Sequence, residues 1–121
     1  MRVNSFEDLV VWQKSMDLVA EIYRLLRLLP KEELYSLSSQ MRRAAISIPS
    51  NIAEGQQRDS IHEYIHFLTI SRGSCGELLT QLMICNRLDY LSENETGPII
   101  DLTRQVNRML TALITGLKNK M

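Results

Sequence analysis

The sequence predicts an all-α protein, with four long helices packed up-down-up-down as an antiparallel bundle. Three observations lead there. Apolar residues recur with helical period in four long segments, and no run alternates apolar and polar over the length of a strand. Pro, Gly and capping residues fall at short intervals between those segments, so neighbours in sequence should reverse direction. The 121 residues suffice for one domain, 1–121, with a real core but not for two.

The first helix is expected from a capping box at Ser5 and Asp8 to about Leu29, where Pro30 stops it. It carries two apolar stripes. Leu9, Trp12, Met16, Val19, Tyr23 and Leu26 form one, and Val11, Leu18, Ile22, Leu25 and Leu29 form the other. Together they cover about half of the circumference, where a single core needs little more than ~100°. The excess predicts burial on a second side, by a copy of the chain, with Leu18, Ile22, Leu25 and Leu29 as the contact.

The second helix begins within KEELYSLSSQ. Leu34, Leu37, Met41, Ala45, Ile48 and Ile52 keep phase straight across Pro49, so one continuous helix, kinked at the proline, is expected. Ser47, Ser50 and Asn51 can hydrogen-bond locally beside the bend, and Gly55 is read as a left-handed C-cap. The third helix starts at the S-x-x-E box of Ser60 and Glu63 and runs to about Leu88. Its inner face holds Ile61, Leu68, Cys75, Leu78, Leu82 and Cys85, and SRGSCG is small enough to let another backbone come close. The fourth opens near TGP, with Pro98 in its first turn and Ile99, Leu102, Val106, Met109 and Leu113 facing inward.

Composition narrows the function. Lys plus Arg number 14 and Asp plus Glu number 14, so the chain is neutral and lacks the basic excess typical of nucleic-acid binders. Arginines outnumber lysines ten to four, which suits bidentate pairing with carboxylate or phosphate. No apolar run reaches the ~20 residues of a membrane span. The opening MRVNSFEDLVVW meets acidic residues too early for a secretory signal. Cys75 and Cys85, ~15 Å apart on one helix, are expected to be reduced and buried, which points to the cytoplasm.

HEYIH fits the zinc-protease pattern H-E-x-x-H, with His62 and His66 one helical turn apart and Glu63 between them. A zinc hydrolase is the remote reading. Glu63 already partners the Ser60 cap, both histidines point away from the apolar face, and the chain has no third His. No other nucleophile stands in a catalytic context, so no enzyme activity, cofactor, metal or small-molecule substrate is expected.

Two charged groups ask for partners. Glu54 closes the second helix, where the macrodipole disfavours a carboxylate, and its candidates are Arg58 locally or Arg72 from the third helix. Arg72 takes an edge-of-core position between Leu68, Cys75 and Leu79. Arg42 and Arg43 have no acid three or four residues away, and with Arg24, Arg27, Lys31 and Arg58 they are the expected phosphate contacts. Lys14–Asp17, Glu21–Arg24 and Asp101–Arg104 are expected surface pairs.

Taken together, FEDLVVWQKSMDL, QMRRAAISIPSNIAEGQQRDSIHEYIHFL and SRGSCGELLTQL resemble the four-helix-bundle proteins of the bacterial 23S rRNA intervening-sequence family. The likeness spans about Phe6 to Leu117. Its most specific part is SIPSNIAEG followed by an arginine, a serine and then GS-x-x-EL, so Ser47, Pro49, Asn51, Glu54 and Gly55 are its structural motif, with Arg72 standing where relatives usually have alanine. HEYIH falls where the family pattern has a glutamate and an aromatic. The resemblance implies an all-α homo-oligomer, in known relatives a ring of five, with no catalytic residues to carry over. The family is also similar to pentameric accessory proteins of diversity-generating retroelements, which associate with reverse transcriptase and nucleic acid. The function expected is therefore a non-enzymatic oligomeric bundle that binds structured RNA through arginine–phosphate contacts. The alternative is a protein-binding scaffold without nucleic acid.

Overall fold

The computed structural model describes residues 5–121, so Met1–Asn4, the start of the stretch read as lacking a secretory signal, lie outside the described residues. Four α-helices and two short 3-10 turns account for the regular structure: α1 (Val10–Leu26), α2 (Leu37–Gln56), α3 (Ile61–Arg87) and α4 (Glu93–Lys118), with turns at Phe6–Asp8 and Lys31–Glu33. Among the described residues there is no strand. Each helix touches its two neighbours in the order α1, α2, α3, α4 and back to α1. Contacts across α2 and α3 run in opposite order along the two helices. Gly55 meets Tyr64 and Phe67, Ile48 meets Ser71, Ser47 meets Ser74, and Met41 meets Cys85. The pairs Asn86–Thr96 and Arg72–Thr111 show the same reversal between α3 and α4.

The ends of α1 lie inside the expected limits. The Ser5 hydroxyl accepts from the Glu7 amide, not from Asp8, and caps a single 3-10 turn. Leu9 is extended, and α1 begins only at Val10. Phe6 packs edge-on against Trp12, 5.3 Å between centroids, which holds this turn against the helix. At the other end α1 stops at Leu26, and Leu28 and Leu29 continue as tight turns that bury Leu29 under the core.

α2 passes through Pro49 without interruption, and Pro49 is buried. Gly55 is not a left-handed cap. It lies within α2, no glycine has positive φ, and Gln57 ends the helix in right-handed geometry. The reason for glycine is space: a Cβ there would stand 2.9 Å from Phe67 Cβ and 3.1 Å from the Tyr64 carbonyl oxygen. Among the described residues the left-handed one is Asp89, in the tight connection from α3 to α4.

α3 starts as expected, with the Ser60 hydroxyl accepting from the Glu63 amide at 3.1 Å. α4 starts five residues before Pro98. Ser92 and Glu95 form a reciprocal capping box, which places Pro98 in the second turn instead of the first. Beside this cap, Tyr90 donates to Glu33 at 3.0 Å and ties the α3–α4 connection to the α1–α2 connection.

One continuous core draws on all four helices and includes Leu18, Ile22, Met41, Ile48, Ile52, Leu68, Leu78, Leu82, Val106 and Leu110. This corrects the expected contact between subunits. Leu18, Ile22, Leu25 and Leu29 are buried inside the chain's own bundle. The two stripes of α1 are equivalent on a helical wheel, and α2 and α4 happen to close over this one. The excess lies on the other stripe: Trp12, Val19 and Leu26 are half-buried, while Met16 and Tyr23 remain over 40% exposed.

Candidate functional site

The motif residues meet at the seam between α2 and α3. Ser71 donates to the Ile48 carbonyl at 2.9 Å, and Ser74 donates to the Ser47 hydroxyl at 2.9 Å. Asn51 donates its amide to both the Ser47 carbonyl (2.8 Å) and the Ser47 hydroxyl (2.9 Å). Short side chains serve here because they bond to helical carbonyls while leaving the two backbones close together. Pro49 lacks an N–H and sits amid these bonds, so Ser47 and Asn51 brace the turns on either side of it. Ser47, Pro49, Asn51 and Gly55 are therefore scaffold, and they set the spacing of the two helices.

On one flank of this seam lies an open cleft of about 580 Å³, lined by Gln40, Arg43, Ala44, Ser47, Ser74 and Glu77. The Arg43 and Glu77 charges share it without an ion pair within 4.0 Å, since the ion pairs among the described residues are Arg24–Glu21 and Arg58–Glu54. Gln81, seven residues after Ser74 on the same α3 stripe, keeps a buried Oε1 with no hydrogen-bond partner. Sequence reasoning picked Arg43 and Ser47 but missed Gln40, Ser74 and Glu77. The signal was present, because Ser74 and Glu77 belong to the GS-x-x-EL part of the motif.

The cleft offers polar contacts. Its two hydroxyls are bonded to each other. Cys75 lies in the core, where burial pushes its thiol up to about 12, and Cys85 is raised to about 11, first by burial and then by the Glu33 charge. Both keep their protons at neutral pH and are poor nucleophiles. His62 and His66 are exposed, and His66 rests edge-on against Phe67. Among the described residues no group of three or more His, Cys, Asp or Glu side chains is placed to hold a metal ion.

The arginines expected to form one basic surface are dispersed. Arg24 pairs with Glu21 on α1, and Arg27 follows at its end. Arg42 donates to the Leu34 carbonyl at 3.3 Å, while Arg43 turns to the cleft. Arg58 stands at the far end of α2, sixteen positions and ~24 Å from Arg42. There it pairs with Glu54 at 2.6 Å and lies 4.9 Å over the Phe67 ring. Glu54 thus takes its local partner. Arg72 instead reaches α4, donating to Thr111 at 3.5 Å. Lys14–Asp17 and Asp101–Arg104 do not approach as ion pairs.

Among the described residues no helix is long and apolar enough to cross a membrane. No curated protein matches this chain. A solved structure from Bacteroides thetaiotaomicron, described as a protein of unknown function from the S23 ribosomal protein family, is 26% identical with a TM-score of 0.81. The match covers 87% of this chain and 98% of that one. Residues 7–112 match the family described as "23S rRNA-intervening sequence protein", and with the four-helix architecture and the SIPSNIAEG seam this shows that the chain belongs to that family.

Proposed function

We propose that this chain is a non-enzymatic bundle that assembles with copies of itself in the cytoplasm and binds structured RNA through arginine–phosphate contacts. The observation that carries the reading is the state of its arginines. Nine lie among the described residues, two are in ion pairs, and the other seven have no carboxylate within 4.0 Å although acids are equally abundant. Guanidinium groups left free in a neutral protein are donors for an anionic partner. The family description, which names a ribosomal RNA intervening sequence, supports an RNA as that partner.

Assembly is supported by the groove of about 340 Å³ between α1 and α2, lined by Trp12, Met16, Val19, Ile46, Pro49 and Ala53. Met16 and Ile46 are each over 40% exposed on it. A ring of five, as the resemblance implies, needs two different patches on each subunit, and this groove serves as one of them. Repetition of weak phosphate sites around such a ring raises effective concentration and so avidity.

Titration of the full chain against a hairpin RNA at two salt concentrations tests the reading. Binding should weaken steeply with salt as counterions are released. Absent binding at low salt, or binding indifferent to salt, removes RNA from the proposal. The same apolar groove and the net neutrality favour a second reading, a protein-binding scaffold. In that case capture of a protein partner survives nuclease treatment.

A further inference from the structure

The unpaired arginines are not spread evenly. Three of them share the seam between α3 and α4. Arg72 leans from α3 onto Thr111 of α4, its Nη1 at 3.5 Å from the threonine hydroxyl. Arg108 and Arg104 lie one and two turns back from Thr111 along the same face of α4. The row of guanidinium positions is thus about 10 Å long, with roughly one turn between neighbours. Arg104 and Arg108 are exposed and Arg72 is half-buried.

Like charges four residues apart repel on a helix, so this row costs stability unless something anionic offsets it. The chain does not supply that offset. Asp101, one turn before Arg104, makes no ion pair with it. Beside Arg72, Gly73 and Gly76 leave the outer surface of α3 bare, since a Cβ at either would meet nothing within 4 Å. Neither glycine is required by packing within the chain, and the bare helix lets a sugar–phosphate strand lie close to the row. The α3–α4 seam is also opposite the α1–α2 groove, because α1 touches α2 and α4 but not α3. A contact made at that groove does not itself cover the row.

We propose that Arg72, Arg104 and Arg108 form the track along which the RNA phosphate backbone is held, in place of the dispersed Arg24, Arg27, Arg42, Arg43 and Arg58. This rests on the RNA reading above and locates its surface. The test compares the full chain with Arg104→Gln/Arg108→Gln and with Arg42→Gln/Arg43→Gln, titrated against one hairpin RNA at two salt concentrations. The α4 pair should lose about tenfold or more in affinity, and its logarithmic salt slope should fall by roughly 0.7 to 0.9 per contact removed. The α2 pair should change by less than about threefold. Gln keeps good helix propensity, so the circular-dichroism melt should not move, and Arg104→Lys/Arg108→Lys should restore most of the binding. An α4 pair that binds with the original affinity and slope overturns the track and leaves the RNA reading standing. An unaltered chain without salt-dependent binding overturns both. Labelled polyglutamate bound as tightly as RNA would assign the row to an acidic polypeptide, and the track would fall with it.

Discussion

Helix α2 meets α3 along one side and α1 along the other, and the two seams are built from different chemistry. Between α2 and α3, Ser47, Ser71, Ser74 and Gly55 bring backbones together and hydrogen bonds fix the register. Between α1 and α2 the contact is made by apolar side chains. Among the described residues no hydrogen bond joins α1 to another helix. Directional bonds between small groups admit one alignment, whereas apolar side chains repack with modest cost. The first seam opens on its flank into a polar cleft, and the second keeps an apolar groove open to solvent. A hydrogen-bonded register and an exposed apolar surface thus lie on opposite sides of one helix.

The largest effect expected from breaking this arrangement is on the apolar side, inside the core. Leu18→Ala removes a fully buried side chain and should cost about 2–5 kcal/mol in chemical denaturation. A loss under 1 kcal/mol would mean that the α1 contact had collapsed around the void. Gly55→Ala sets a methyl group against Phe67 Cβ and the Tyr64 carbonyl, neither of them a flexible end. About 1–3 kcal/mol is expected, and an unchanged or higher melting midpoint would show that the α2–α3 seam is looser than described.

Alkaline titration probes the same seam, because Cys85 touches Met41 across it at 3.7 Å. From about pH 9 the unfolded chain loses its thiol protons, while the folded chain holds them until about 11 for Cys85 and 12 for Cys75. The unfolded state then binds fewer protons, so stability is complete below pH 9 and falls as pH rises, by about 1.4 kcal/mol per pH unit for each thiol. Cys75→Ala with Cys85→Ala should flatten that slope, and an identical slope would show that solvent reaches the thiols. The smallest effect on folding is expected for Met16→Ala with Ile46→Ala, about 1 kcal/mol or less because each side chain is over 40% exposed. Sedimentation should nevertheless show smaller assemblies, and unchanged assemblies would place the contact between copies on another face.

How far the sequence could be read depended on whether a feature is local. The S-x-x-E cap of α3 and the unbroken phase across Pro49 were visible because both involve residues within a turn of one another. The candidate surface was much less legible. Arg42 and Arg43 drew attention as neighbours in sequence, yet they diverge by about 100° on α2. Arg72 and Thr111 are 39 positions apart and meet only because α3 and α4 reverse direction. Gly55 was misread for a related reason: glycine near a helix end fits a cap, and its true neighbours, Tyr64 and Phe67, belong to the next helix.

By itself the sequence determined four helices, their approximate limits, and an apolar arc on α1 too wide for one core. Period and caps encode these properties, and both act within a few residues. Only the tertiary structure decided which α1 stripe turned inward and that Arg72 reached across to α4. Those outcomes depend on what the neighbouring helix presents at each level, and burial selects between faces that a helical wheel leaves equivalent.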